Sequence, residues 1–166
     1  MPNNPLRVQF IHGLEGSPNG AKARLFADEF VTSTPVINTK DFPSCVDVHV
    51  AEIQNFQPNV LIGSSFGGAV ALELLHRGAW DGPTLLLAQA ALRIGQQTTV
   101  PDGVVVWIVH GTNDEVVNVE DSRRLAKTGS PHLVRMIEVD DDHSLHAMAA
   151  DGRLLELVRA IAIDTR

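Results

Sequence analysis

Ser65 stands between two glycines in Gly63-Ser64-Ser65-Phe66-Gly67, after the apolar run Asn59-Val60-Leu61-Ile62 and before Gly68-Ala69-Val70-Ala71-Leu72-Glu73-Leu74-Leu75. The pattern reads as a strand, a tight corner with a serine at its tip, and a helix. Such a corner holds its serine at a strained backbone angle, and side chains two residues to either side would collide. It pushes Oγ out of the sheet, and the helix that follows directs its N-terminal N–H groups at developing negative charge. A serine hydroxyl is a weak nucleophile until a base removes its proton. Two later segments supply that base and its partner. Asp114, in His110-Gly111-Thr112-Asn113-Asp114, follows the apolar run Val104 to Val109, and His143, in Asp140-Asp141-Asp142-His143, follows Leu133 to Val139. In this set His143 takes the Ser65 proton and later delivers it to the leaving group. Asp114 holds the imidazole in the right tautomer and stabilises the imidazolium.

Each of these segments contains a rival. Ser64 shares the corner but lacks glycines two residues away on both sides, so it reads as a small residue fitting beneath the turn. Glu115 neighbours Asp114, and His146 follows His143 by three residues on one helix face. Position in the loop at a strand end favours His143. His12 and His110 read as structural, and nothing assigns His49, His76 or His132 beyond surface or packing. Asp140-Asp141-Asp142 beside His143 and His146 also has the donor types of a divalent-ion site. A solvated acidic loop is the commoner outcome, so neither a metal nor any other cofactor is expected.

The elements that must position these residues alternate strand and helix along the whole chain. Strands are expected at Leu6 to Ile11, Thr34 to Asn38, Asn59 to Ile62, Pro83 to Ala88, Val104 to Val109 and Leu133 to Val139. Helices are expected at Ala21 to Phe30, Val46 to Phe56, Gly68 to His76, Val119 to Lys127 and Ser144 to Ile163, the last interrupted near Asp151-Gly152. Near-continuous apolar runs suit strands buried on both faces. The order implies an α/β fold: a doubly wound, mainly parallel sheet of about six strands flanked by helices. Ligands of such sheets bind beyond the carboxyl ends of the strands, where Ser65, Asp114 and His143 all fall.

The corner, His110-Gly111-x-x-Asp114 and Asp142-His143-Ser144-Leu145, in the order Ser, Asp, His, resemble the α/β-hydrolase superfamily, from His12-Gly13 through His143. Its small, lidless members are the nearest in pattern. The resemblance implies an oxyanion hole made by the backbone N–H groups of Phe66, just after the nucleophile, and Leu14, just after His12-Gly13. Larger members commonly insert a cap between the strands near Leu85 and Val104, and the segment Gln89 to Gly103 is too short for one. An open cleft is therefore expected. Leu92, Val116 and Leu145 are candidate substrate-lining residues, with Leu14, Phe66, Ile94 and Val117 as further apolar candidates.

At 166 residues, residues 1–166 are expected to form a single domain. A net charge of −7 argues against nucleic acid or an anionic membrane surface as partner. The longest apolar runs are strand-sized, and the first residues lack the basic and apolar parts of a secretory signal. Cys45 is the sole cysteine, so no internal disulfide forms, in keeping with a cytoplasmic location. The combined expectation is a serine hydrolase, of carboxylesterase or thioesterase type, acting on a small-molecule ester or thioester. The alternative is a binding or regulatory protein that keeps the fold without turnover. Oligomeric state is left open.

Overall fold

The computed structural model describes residues 4–164 and gathers the strands into one six-stranded sheet. The strands are β1 (Arg7–Ile11), β2 (Val31–Ser33), β3 (Val60–Ser64), β4 (Thr84–Leu87), β5 (Val106–Gly111) and β6 (Val134–Val139). They lie in the order β2-β1-β3-β4-β5-β6, and every neighbouring pair is parallel. The helices are α1 (Ala21–Glu29), α2 (Phe42–Phe56), α3 (Phe66–His76), α4 (Ala91–Ile94), α5 (Val119–Ala126), α6 (His146–Ala150) and α7 (Arg153–Ala162). The chain runs from β1 outward to β2, then returns past β1 to build β3 to β6. The strand order therefore reverses between β1 and β3, and a crevice opens there beyond their carboxyl ends.

Alternation along the strands divides the core into two layers. Val60, Ile62, Leu85, Leu87, Trp107 and Val109 pack with residues of α1, α6 and α7. Leu61, Leu86, Val106 and Ile108 pack with residues of α2, α3 and α5. Each fully buried aliphatic side chain contributes about 1.5–3 kcal/mol relative to exposure. In α3, Phe66 through Leu75 are all buried, so the helix behind Ser65 is anchored on every side.

Several boundaries differ from the sequence pattern. The second strand is Val31–Ser33, hydrogen-bonded beside Arg7–Gln9, and not Thr34 to Asn38. Pro35 has no N–H to offer a ladder, so pairing stops before it. α2 begins four residues before Val46, at Phe42, because Asp41 accepts a hydrogen bond from the Ser44 N–H (3.1 Å) and Pro43 suits the first turn. The closing segment is two helices, α6 and α7, separated at Asp151-Gly152, where Gly152 takes φ 86°. The β4–β5 connection carries one short helix, α4. Cys45 is buried and its thiol donates to the Asn38 carbonyl (3.1 Å), with burial pushing its pKa up. Among the described residues, no helix is long and apolar enough to cross a membrane.

Candidate active site

Ser65 links β3 to α3 with φ 53° and ψ −113°, a conformation that costs a non-glycine residue on the order of 1–3 kcal/mol. Its surroundings impose it. The Ser65 N–H donates to the Leu87 carbonyl of β4 (2.9 Å), and the Ser65 carbonyl accepts from the N–H groups of Ala90 and Gly68 (3.0 Å each). The flanking glycines are required by contact. A Cβ on Gly63 would run into the Gly67 backbone, and one on Gly67 into the Ile11 carbonyl of β1. The corner thus folds flat against β1 and β4, and Oγ is left at the crevice.

His143, in the loop after β6, reaches back over β5. Its Nε2 lies 3.1 Å from Ser65 Oγ and its Nδ1 lies 2.7 Å from Asp114 Oδ2. The carboxylate fixes the tautomer: Nδ1–H donates to Asp114, and Nε2 is free to accept the serine proton. His146 lines the same crevice, and its backbone N–H donates to Asp142 Oδ1 (3.2 Å). Glu115 is exposed, and Ser64 ends β3 buried beneath the turn.

The Asp114 side chain is fully buried and takes three N–H donors. Oδ1 accepts from the backbone N–H groups of Val116 and Val117 (2.8 Å each). Oδ2 accepts from His143 Nδ1 (2.7 Å), and His110 Nε2 lies 3.0 Å from it. Burial pushes this carboxyl up, but the bonds from His143 and the Val117 and Val116 amides outweigh it and hold it below the usual carboxylate value.

Behind Asp114 runs a buried polar chain that the sequence pattern does not reveal. Gln89 Nε2 donates to Ser122 Oγ (2.9 Å), and Ser122 Oγ lies 2.7 Å from His110 Nδ1. His110 Nε2 faces both the Val117 carbonyl (2.8 Å) and Asp114 Oδ2, two acceptors, so it carries the hydrogen. Gln89 Oε1 closes the chain by accepting from the Ala91 N–H (2.7 Å). Gln89, Ser122 and His110 are each 0 % exposed, so every one of these groups depends on the next for its hydrogen bonds. For Gln89 and His110 the sequence signal is polarity at otherwise apolar strand ends, and Ser122, on α5, gives none.

The loop after β1 supplies the neighbouring wall. Gly13 backs onto the corner so closely that a Cβ there would lie 3.3 Å from Ser65 Cβ. The Gly13 carbonyl accepts from His12 Nδ1 (2.8 Å) and from the Gly16 N–H (3.1 Å). That carbonyl shares one planar peptide with the Leu14 N–H, so both bonds also set the direction of the Leu14 donor. The Phe66 N–H is the first of α3 and has no partner within the helix. The Phe66 ring itself is buried edge-on against Phe42, with centroids 5.8 Å apart.

The acidic segment before His143 is absorbed into local structure. Asp141 accepts from the N–H groups of Asp142 (2.9 Å), Ala147 (3.2 Å) and Met148 (2.9 Å), tying the loop to the start of α6. Burial pushes the Asp141 carboxyl up, and these amides, with Met148 first, bring it below its ordinary value. Asp140 accepts from Asn113 Nδ2 (2.6 Å). No cluster of three or more metal-ligating side chains occurs among the described residues.

The crevice holds about 760 Å³, in the range of small-molecule sites, between the His12–Ser17 loop, the first turns of α1, and the His143–Ala150 segment. Val116 and Leu14 line it and are 61 % and 54 % exposed. Leu92 and Leu145, expected at the substrate, do not line it. Leu92 lies beside Thr98, Arg124 and Thr128, away from Ser65, because α4 turns it toward α5. Leu145 adopts φ 52° and is 0 % exposed, its side chain turned into the core with Met148, where it anchors the histidine loop. Ile94 and Val117 also lie outside the lining.

No family model and no curated protein matches the chain. Solved structures do. A candidate hydrolase from Agrobacterium vitis S4 is similar over 95% of this chain and 88% of its own, at 18% identity and a TM-score of 0.75. A lidless α/β serine hydrolase from Xanthomonas campestris is similar over 100% of this chain and 88% of its own, at 18% identity and a TM-score of 0.65. An esterase from Rhodococcus sp. ECU1013 is similar over 98% and 92%, at 14% identity and a TM-score of 0.71. At these identities the likeness establishes the architecture.

Proposed function

On the premise of an α/β-hydrolase fold, which this chain has, we propose a serine hydrolase that cleaves a small ester or thioester through an acyl-enzyme. The observation that carries the reading is the unbroken chain Ser65 Oγ, His143 Nε2, His143 Nδ1 and Asp114 Oδ2 at the switch point of the sheet. Ser65 Oγ attacks the carbonyl carbon while its proton passes to His143 Nε2. The carbonyl oxygen becomes an oxyanion between the Leu14 and Phe66 N–H groups, each of which is worth about 3–4 kcal/mol in such a position. The tetrahedral species collapses, the C–O or C–S bond breaks, and the His143 proton leaves with the alcohol or thiol. Water, deprotonated by the same imidazole, then releases the acid and restores the serine.

Among the described residues, the short α4 is the one helix or strand between β4 and β5, which favours substrates of modest size. A panel of short-chain aryl esters and thioesters, with Ser65→Ala as the control, tests the reading. Turnover by the wild type that falls to background in Ser65→Ala supports it. Turnover that survives Ser65→Ala contradicts it.

A further inference from the structure

The crevice beside Ser65 contains one lysine or arginine, Lys22, in the first turn of α1. The same lining holds the apolar Ala21, Ala23, Leu25, Ala149 and Ala150 together with the polar Ser17, Ser144 and His146. Lys22 is partly buried, yet among the described residues it has neither a hydrogen bond nor an ion pair. Lys22 and Ser65 line the same crevice, so a partly buried ammonium without a partner is available to an anionic group that enters it.

The nearest carboxylates do not satisfy it. Asp141 is occupied by three backbone N–H groups and Asp142 by the His146 N–H. Neither approaches Lys22 within 4.0 Å. Burial lowers the Lys22 pKa, and the fields of Asp142 and Asp141 work against that by favouring the ammonium form. Burial outweighs those fields, which act on Lys22 without contact. Glu15, the one carboxylate among the lining residues, is exposed at the mouth.

We propose that Lys22 is a specificity-determining residue that recognises a free carboxylate on the substrate, so that the natural ester or thioester is a monoanion such as a dicarboxylic acid half-ester. This rests on the hydrolase reading and specifies its substrate class. With the reacting carbonyl at the Leu14 and Phe66 amides, the rest of the molecule extends along the cleft toward α1, and its carboxylate accepts from the Lys22 ammonium. A single lysine is a compact point donor, matched to one carboxylate. A phosphate dianion fits less well, because one ammonium cannot pair both of its charges.

The test compares monomethyl half-esters of succinate, glutarate and adipate with neutral isosteres in which the free carboxylate is a carboxamide. A charge-assisted hydrogen bond at a partly exposed site corresponds to a preference of about tenfold. The wild type is expected to favour at least one half-ester over its amide by about that factor in kcat/KM, through KM. The ratio falls to near one in Lys22→Gln and is partly kept in Lys22→Arg, with thermal melts checking that both variants are folded. The same pairs are titrated calorimetrically against Ser65→Ala and Ser65→Ala/Lys22→Gln, which reads recognition without turnover. A wild-type ratio near one, with Ser65-dependent turnover intact, overturns the role of Lys22 and leaves the hydrolase reading standing. If no ester is turned over, the hydrolase reading fails and the binding ratio decides Lys22. Equal ratios in wild type and Lys22→Gln, or a preference for a phosphate-bearing ester over the half-esters, also overturn the proposal.

Discussion

Asp114→Asn is the substitution whose consequence follows most directly from the geometry. All three hydrogen bonds to the carboxylate come from N–H donors, Val116 and Val117 on one oxygen and His143 on the other, with His110 Nε2 also close to the second oxygen. A carboxamide is nearly the same shape but has one acceptor atom in place of two. With its oxygen toward Val116 and Val117, its NH2 faces Nδ1–H of His143 and Nε2–H of His110. His110 keeps the Val117 carbonyl (2.8 Å) and tolerates the change. His143 relieves the clash only by moving its hydrogen to Nε2, the atom that must accept from Ser65 Oγ. The imidazolium of the transition state also loses its counter-charge, worth about 4 kcal/mol at roughly 4 Å and an effective dielectric of about 20. With about 1.5 kcal/mol for the lost charge-assisted bond, the barrier rises by about 5.5 kcal/mol, or about 10⁴-fold in kcat. The assay is steady-state hydrolysis of a short-chain aryl ester, with a thermal melt as the folding control. A fall of less than about tenfold, in a folded protein, would refute the dependence of His143 on this carboxylate.

Further outcomes follow from the buried polar groups. Ser122→Ala leaves His110 Nδ1 and Gln89 Nε2 without partners, so stability should drop by about 1–3 kcal/mol. If that chain also holds Asp114 in place, kcat should fall by up to about 100-fold with KM little changed; an unchanged kcat would show that the Val116 and Val117 amides suffice. His49 is buried, and burial, aided by His12, lowers its pKa to about 3. The unfolded chain therefore binds a proton that the folded chain refuses between pH 6.5 and about 3. The stability associated with neutral His49 is present above that window and is lost as pH falls through it, at up to about 1.4 kcal/mol per pH unit. Urea midpoints of wild type and His49→Gln across pH 7 to 4 read this directly: the variant's midpoint should change less, and parallel curves would contradict a neutral buried imidazole.

The parts of the site carried by local pattern were legible in the chain. A glycine pair around Ser65, between an apolar strand and an apolar helix, reports a steric need that Gly63 and Gly67 meet in the structure. Strands β3, β4 and β5 are buried on both faces, and their unbroken apolar runs say so. What failed was decided by tertiary contact. Val31–Ser33 is too short to show a period and is a strand because Arg7–Gln9 offers an edge. Leu145 looks like a lining residue by its place after His143, but its left-handed backbone turns it into the core. The Gln89–Ser122–His110 chain joins residues from the loop after β4, from α5 and from β5, which share no spacing. Lys22 is equally silent in sequence, since only the fold brings α1 to the cleft of Ser65.

The central claim is that Ser65 is an activated nucleophile. Its most direct measurement is labelling of the folded wild type by a fluorophosphonate probe, read by intact mass and by mapping the modified peptide. Activation by His143 predicts a single adduct on Ser65 that disappears in Ser65→Ala. A folded wild type that takes no label, or takes it at another residue, would contradict the claim.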